Sequence, residues 1–235
     1  MKINRSGKSV DISYLKDLTI SELEIEATHI EGIEILNGKS SLTKLTLIDC
    51  DKTDFTKLKK LPSLTELSLF GNFSSIEFIK NYKNIEVLIL ECGWKSLSGI
   101  EKLKKLSFLE ISGGPSIITV PAETYIPGGI NSKGIVDRNS SFKFINSLKL
   151  KELRFFRFSF NSELLLSLFE AIESGAIEKA SIDKCYNLYS ENKRNAYEFD
   201  ISQSLITKFK NLTKVVDVFH YQDNYFGDSL EITCK

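Results

Sequence analysis

The chain is poor in the residues from which many protein functions are built: two histidines, four cysteines, one methionine and one tryptophan among 235 residues. His29 and His220 stand far apart in the sequence and are read as structural or solvated rather than as members of a catalytic or metal-binding constellation. Cys50, Cys92, Cys185 and Cys234 are too few and too scattered for a disulfide framework and form no CxxC pair. The 31 basic and 31 acidic residues cancel, so no global field draws the chain to nucleic acid or to an anionic membrane. No window approaches the roughly 20 apolar residues that span a bilayer, and MKINRSGKSVDISYL lacks a signal-peptide core; a cytoplasmic location is expected. There is no GxSxG, Walker-type loop or HExxH. Asp223, Asn224 and Asp228 lack the spacing and closing glutamate of a calcium loop, while the GGP at 113–115 and the Gly128-Gly129 pair read as turns. A non-enzyme with no cofactor and no metal is expected.

What the chain does have is rhythm. SLTKLTLIDC (41–50), SLTELSLFGN (63–72), NIEVLILECG (84–93) and KLSFLEISGG (105–114) share one apolar pattern, with its middle position at Leu45, Leu67, Leu88 and Leu109. The steps are 22, 21 and 21 residues, a period that marks a repeat architecture. Ahead of each strand-like segment apolar residues recur every third position: Phe55, Leu58 and Leu61; Ile76, Ile79 and Tyr82; Leu97, Ile100 and Leu103. That spacing suits a 3₁₀-like turn, in which side chains at i and i+3 eclipse on one face. Each unit is therefore a short strand, a turn and a loosely helical return. At roughly 1.5–3 kcal/mol per buried Leu or Ile, one unit alone does not offset its chain entropy, so the units must stack.

LxxLxLxxN, with its last position filled by Cys50, Asn72, Gly93 and Gly114, followed by LxxIxxLxxL as at Leu97, Ile100, Leu103 and Leu106, resembles the leucine-rich repeat family. The 21–22-residue length resembles its internalin-like and phosphatase-regulator-like members. The resemblance implies an α/β, right-handed solenoid with a parallel sheet on its concave side and 3₁₀ to α-helical returns on the other. It implies little about function, because that family is defined by its scaffold. Cysteine at the position of Cys50 and Cys185 is tolerated there as a small buried side chain.

The frame extends in both directions. Leu23 lies 22 residues before Leu45, and Val10, Ile12, Leu15 and Leu18 read as a shortened first unit or cap. After Gly114 the next strand is marked by Leu153, two periods later; between them Pro115, Pro121, Pro127 and Gly128-Gly129 break ladder pairing. This segment reads as one degenerate repeat, or as a repeat replaced by a protruding loop with its own hairpin. Residues 164–172 have an amphipathic α-helical pattern stopped at Gly175, and the mark moves to Ala180. The expected organisation is one domain over 1–235: a cap at 1–19, regular repeats at 20–114, the irregular segment at 115–147, longer repeats at 148–185 and a C-terminal cap at 186–235. Counting both caps, about eight units are expected.

Alternate strand residues leave the core, so the variable positions build the face that can meet a partner. Those columns bring Phe70, Val87, Ile89 and Phe108 onto adjacent strands beside Glu91 and Glu110, with Arg154, Phe156 and Arg157 following. Aromatic and arginine side chains are what interface cores are enriched in. Phe70, Ile89, Glu91, Phe108, Glu110, Arg154, Phe156 and Arg157 are the candidate partner-binding residues, with Trp94 near the rim and the 115–130 loop as a second contact. The function expected is a non-catalytic module, monomeric by itself, that binds another protein and neither nucleic acid nor membrane. An inhibitor or immunity-type protein masking a toxin or enzyme fits; the alternatives are an exported internalin-like effector or adhesin, and a scaffold for a phosphatase-like enzyme.

Overall fold

The computed structural model describes residues 1–73, 75–93, 97–112, 142–156, 162–183, 203–221 and 229–235. The chain divides into two compact units, Met1–Leu106 and Ser107–Lys235.

In the first unit β1 (Lys2–Asp11), β2 (Glu22–Glu31), β3 (Lys44–Ile48), β4 (Glu66–Asn72) and β5 (Val87–Gly93) lie parallel in chain order. Short 3₁₀ turns return the chain after each strand, at Ser13–Leu15, Ile33–Leu36, Phe55–Lys57, Glu77–Asn81 and Ile100–Lys102. The register follows the sequence period: Leu23 lies opposite Leu45, Leu45 opposite Leu67, and Leu67 opposite Leu88. All four are buried, as are the third-position residues Phe55, Leu58, Leu61, Ile76, Ile79, Tyr82, Leu97, Ile100 and Leu103. The core is therefore a sandwich between the inner sheet face and the returns.

Polar groups stitch one return to the next. Buried Tyr82 donates its hydroxyl proton to the Leu58 carbonyl at 2.7 Å. The Asn37 amide donates to the Lys57 carbonyl at 2.8 Å, while its oxygen accepts from the backbone N–H groups of Lys59 and Lys60 at 2.7 and 2.9 Å. Cys50 is fully buried with Sγ 3.2 Å from the Ile48 carbonyl, and burial pushes its thiol up to about 12. This is the small buried side chain expected at that position.

Two local expectations change. The N-terminal cap contains a complete ten-residue strand, β1, whose polar sequence buries only Ile3 and Val10; Leu18, expected in the core, is exposed. β2 continues past Ile25 to bury Ala27 and Ile30, which places His29 within the strand. Its Nδ1 is 2.9 Å from the Lys52 carbonyl, which can only accept, so Nδ1 carries the proton.

In the second unit β6 (Phe108–Ser112), β7 (Glu152–Phe156) and β8 (Lys179–Asp183) are parallel, with Leu109 opposite Leu153 and Leu153 opposite Ala180. The two-period gap thus advances the sheet by a single strand. That disposes of a degenerate repeat with its own strand between β6 and β7; residues 113–141 themselves lie outside the described residues, and a 3₁₀ turn at Phe142–Ser147 leads into β7. Helix α1 (Ser162–Glu173) buries Leu165, Leu168, Ala171 and Ile172 and stops where Gly175 takes the left-handed conformation, φ 73°, which costs glycine nothing. Helix α2 (Gln203–Lys210) packs Phe209 edge-on against Phe169 of α1 with centroids 4.9 Å apart.

The parallel rhythm ends at β8. Strand β10 (Ser229–Cys234) runs antiparallel to β8, and β9 (Val215–Tyr221) runs antiparallel to β10, outermost. The C-terminal cap expected at 186–235 therefore closes the parallel array with a reversed hairpin. Only seven residues separate β9 from β10, and a parallel pair needs a crossover of a dozen or more.

Candidate functional site

Seven of the eight expected partner-binding residues, all but Arg157, fall on the sheet faces opposite the core, in one unit or the other. In the first unit, the rows across the strands are Glu22–Lys44–Glu66–Val87, Glu24–Thr46–Ser68–Ile89 and Glu26–Ile48–Phe70–Glu91. Phe70 and Glu91 are therefore direct cross-strand neighbours, with Ile89 one row away. All three are half-buried. Toward β1 this face is polar and internally paired: Lys2 meets Glu24 at 2.6 Å, Asn4 donates to Glu26 at 2.6 Å, and Lys44 meets Glu66 at 2.5 Å. Neutralised charge gives way to Ile48, Phe70, Val87 and Ile89 as the strands advance.

In the second unit Phe108, Glu110, Arg154 and Phe156 occupy the corresponding face; Arg157 lies outside the described residues, as does Trp94. Glu110 faces Arg154, Arg154 faces Ser181, Ser181 faces Glu231 and Glu231 faces Phe219. The neighbouring row is Ser112, Phe156, Asp183, Ser229 and Tyr221. The antiparallel hairpin thus extends the face, adding two residues that no repeat column predicted. Phe219 and Tyr221 are both exposed, their rings packed with centroids 4.4 Å apart. The available signal was the alternation of Val218, Phe219, His220 and Tyr221 with the polarity inverted: the aromatics sit on the open face and Val218 on the buried one.

Arg154 does not present the positive charge that its place in the column suggested. Its guanidinium bonds the Glu152 carboxylate at 2.8 Å and reaches Glu110 at 3.5 Å, and its Cζ lies 5.3 Å from the Phe108 ring centroid. The two carboxylates, Glu152 first, raise its already high pKa. Such a half-exposed cluster contributes at most about 1 kcal/mol to stability; its consequence is to hold Phe108, Glu110 and Arg154 in one arrangement. Beyond it the face sinks into a groove of about 420 Å³ lined by Glu110, Arg154, Phe156, Asp183, Tyr221 and Glu231 among others. Ser181 and Ser229 form its small-residue floor, and the Ser229 hydroxyl donates to Asp183 at 2.6 Å.

In-register leucines between short parallel strands and 3₁₀ returns, with the open sheet face left to variable residues, are what the sequence resemblance implied. Both units have the leucine-rich-repeat fold. An internalin, InlF, from Listeria monocytogenes resembles the chain at 16% identity and a TM-score of 0.38, over 80% of this chain and 62% of that one. The chain thus spans less than two thirds of the internalin's length. No protein-family model and no curated protein matches the sequence. Among the described residues of the leucine-rich-repeat units, no group of three or more His, Cys, Asp or Glu side chains is arranged to hold a metal ion, and no helix is long and apolar enough to cross a membrane.

Proposed function

We propose that this leucine-rich-repeat protein is a non-catalytic module that binds another protein through the open sheet face of its second unit. The observation that carries the reading is the groove between the Arg154 cluster and the β9–β10 hairpin, walled by Phe156 and Tyr221. A groove with aromatic walls and a polar rim has the composition of a protein-interface core. Nucleic acid is the poorer fit, because the described lining holds Glu110, Asp183 and Glu231 against Arg154 alone, and phosphate binding relies on unneutralised cations. Phe70, Ile89 and Glu91 supply a second contact region in the first unit, and the 115–130 segment a third. In biological terms the reading is a cytoplasmic inhibitor or immunity-type protein that masks a toxin or enzyme.

The test is capture of the partner from the source organism followed by substitution at the face. One stoichiometric protein, lost on Phe156→Ala with Tyr221→Ala and weakened by charge reversal at Glu110, supports the reading. Retention of the partner by those variants, with its loss on deleting 115–130, moves the site to the irregular segment.

A further inference from the structure

We propose that Asn37 is a self-modification site held shut by the fold: when the second and third 3₁₀ returns separate, the Gly38 nitrogen attacks the Asn37 side chain and converts it to aspartate or isoaspartate.

The turn itself requires the reactive pair. Asn37-Gly38 is the one Asn-Gly pair in the sequence. Leu36 to Lys39 form a type II turn: Asn37 has φ −59° and ψ 130°, Gly38 has φ 78°, and the Lys39 N–H donates to the Leu36 carbonyl at 3.2 Å. Such a turn needs positive φ at its third residue, which is the place of glycine. The same glycine makes the pair labile, because no Cβ obstructs the approach of its nitrogen to the preceding side chain. Crowding does not protect the pair, since Gly38 is exposed and a Cβ there would meet nothing within 4 Å. Hydrogen bonds do. The Gly38 N–H donates to the Lys60 carbonyl at 2.8 Å. The Asn37 Nδ2 donates to the Lys57 carbonyl at 2.8 Å, and its Oδ1 accepts from the N–H groups of Lys59 and Lys60 at 2.7 and 2.9 Å. Nucleophile and electrophile are thus both held by one neighbouring segment, residues 57–60, and a local opening of that segment releases them together.

On release the Gly38 nitrogen gives up its proton to solvent and bonds to Asn37 Cγ. The Cγ–Nδ2 bond breaks, the leaving nitrogen takes a proton and departs as ammonia, and a cyclic imide remains. Water then opens the ring at either carbonyl, giving aspartate or isoaspartate. Neither product has the Nδ2 donor, so the Lys57 carbonyl loses its partner, and isoaspartate also lengthens the main chain by one methylene. The conversion runs one way and records the opening of the returns.

Peptide mapping of the full chain reads the conversion directly. Cleavage after Lys16 and Lys39 releases residues 17–39, in which Asn37 is the only asparagine and glutamine does not occur, so the mass gain of an amide-to-acid exchange reports this site alone. In mildly alkaline buffer the folded chain is expected to convert at least about tenfold more slowly than the same chain unfolded in urea, equivalent to about 1.4 kcal/mol of opening. In the unfolded chain this peptide converts before any other asparagine-containing one, and Gly38→Ala, read in urea where its folding is immaterial, slows it. Urea below the unfolding transition speeds conversion in step with hydrogen exchange at the Gly38 and Lys60 amides. Equal rates in the folded and unfolded chains, a retardation smaller than the exchange protection of the Gly38 amide, or earlier conversion of another asparagine in the unfolded chain overturns the proposal.

Discussion

Leu67→Ala probes the register that builds the first unit. Leu67 is fully buried between Leu45 and Leu88, its in-register neighbours, with Leu64 and Leu69 equally inaccessible beside it. Truncation removes three carbons, about 2.4 kcal/mol of transfer free energy at about 0.8 per methylene. A cavity term adds to this, because hydrogen-bonded strands on either side prevent collapse; the expected loss is about 3–4 kcal/mol. At about 2–4 °C per kcal/mol for a chain of this size, the melting temperature falls by roughly 6–16 °C. Ile89→Ala removes an aliphatic group from the half-buried, open face of the adjacent strand, and costs well under half as much. Urea titration gives the energies, and amide exchange in β3, β4 and β5 locates the loss, since repeat arrays need not unfold in one step. A cost below about 1 kcal/mol for Leu67→Ala, or a larger one for Ile89→Ala, refutes the assignment of faces.

Three further outcomes follow from the same packing. Tyr82→Phe leaves the Leu58 carbonyl without its buried donor and costs about 1–3 kcal/mol, read by urea titration. Gly71→Ala is worse than its size suggests: Gly71 has φ +100°, and a Cβ there overlaps Asp49 Oδ1 and meets the Asp49 backbone at 3.1 Å; conformation alone costs about 1–2 kcal/mol, and the overlap adds to it in a thermal melt. Burial raises the Cys50 thiol from 9.0 to about 12 and raises the Tyr82 phenol as well. From about pH 9 to 12 the unfolded chain has released the Cys50 proton that the folded chain retains, so stability falls by about 1.4 kcal/mol per pH unit from this group; Cys50→Ala flattens that part of the curve, and native alkylation at pH 8 leaves Cys50 unmodified.

The sequence was most informative where burial repeats. Leu45, Leu67, Leu88, Leu109 and Leu153 face the core in every unit, so period and register coincide, and even the two-period gap could be bridged by matching Leu109 to Leu153. β1 escaped because an edge strand covers the core with only two side chains, leaving no alternation to read. The hairpin reversal escaped because direction is set by the length of a connection and not by strand composition. Column positions placed Phe70, Ile89, Glu91, Phe108, Glu110, Arg154 and Phe156 on the open face, yet gave no hint that Glu110 and Glu152 share Arg154. That depends on side-chain reach across strands 44 residues apart in sequence and two residues apart along one strand. Phe219 and Tyr221 belong to no repeat column and became visible only once β9 was paired with β10.

The central claim is that the open sheet face of the second unit docks a protein. Amide exchange of the full chain with and without its captured partner tests it most directly. Protection concentrated in β7, β8 and the β9–β10 hairpin, centred on Ser181 and Ser229, is the predicted result. Protection confined to the 3₁₀ returns and helices, with those strands unchanged, contradicts it.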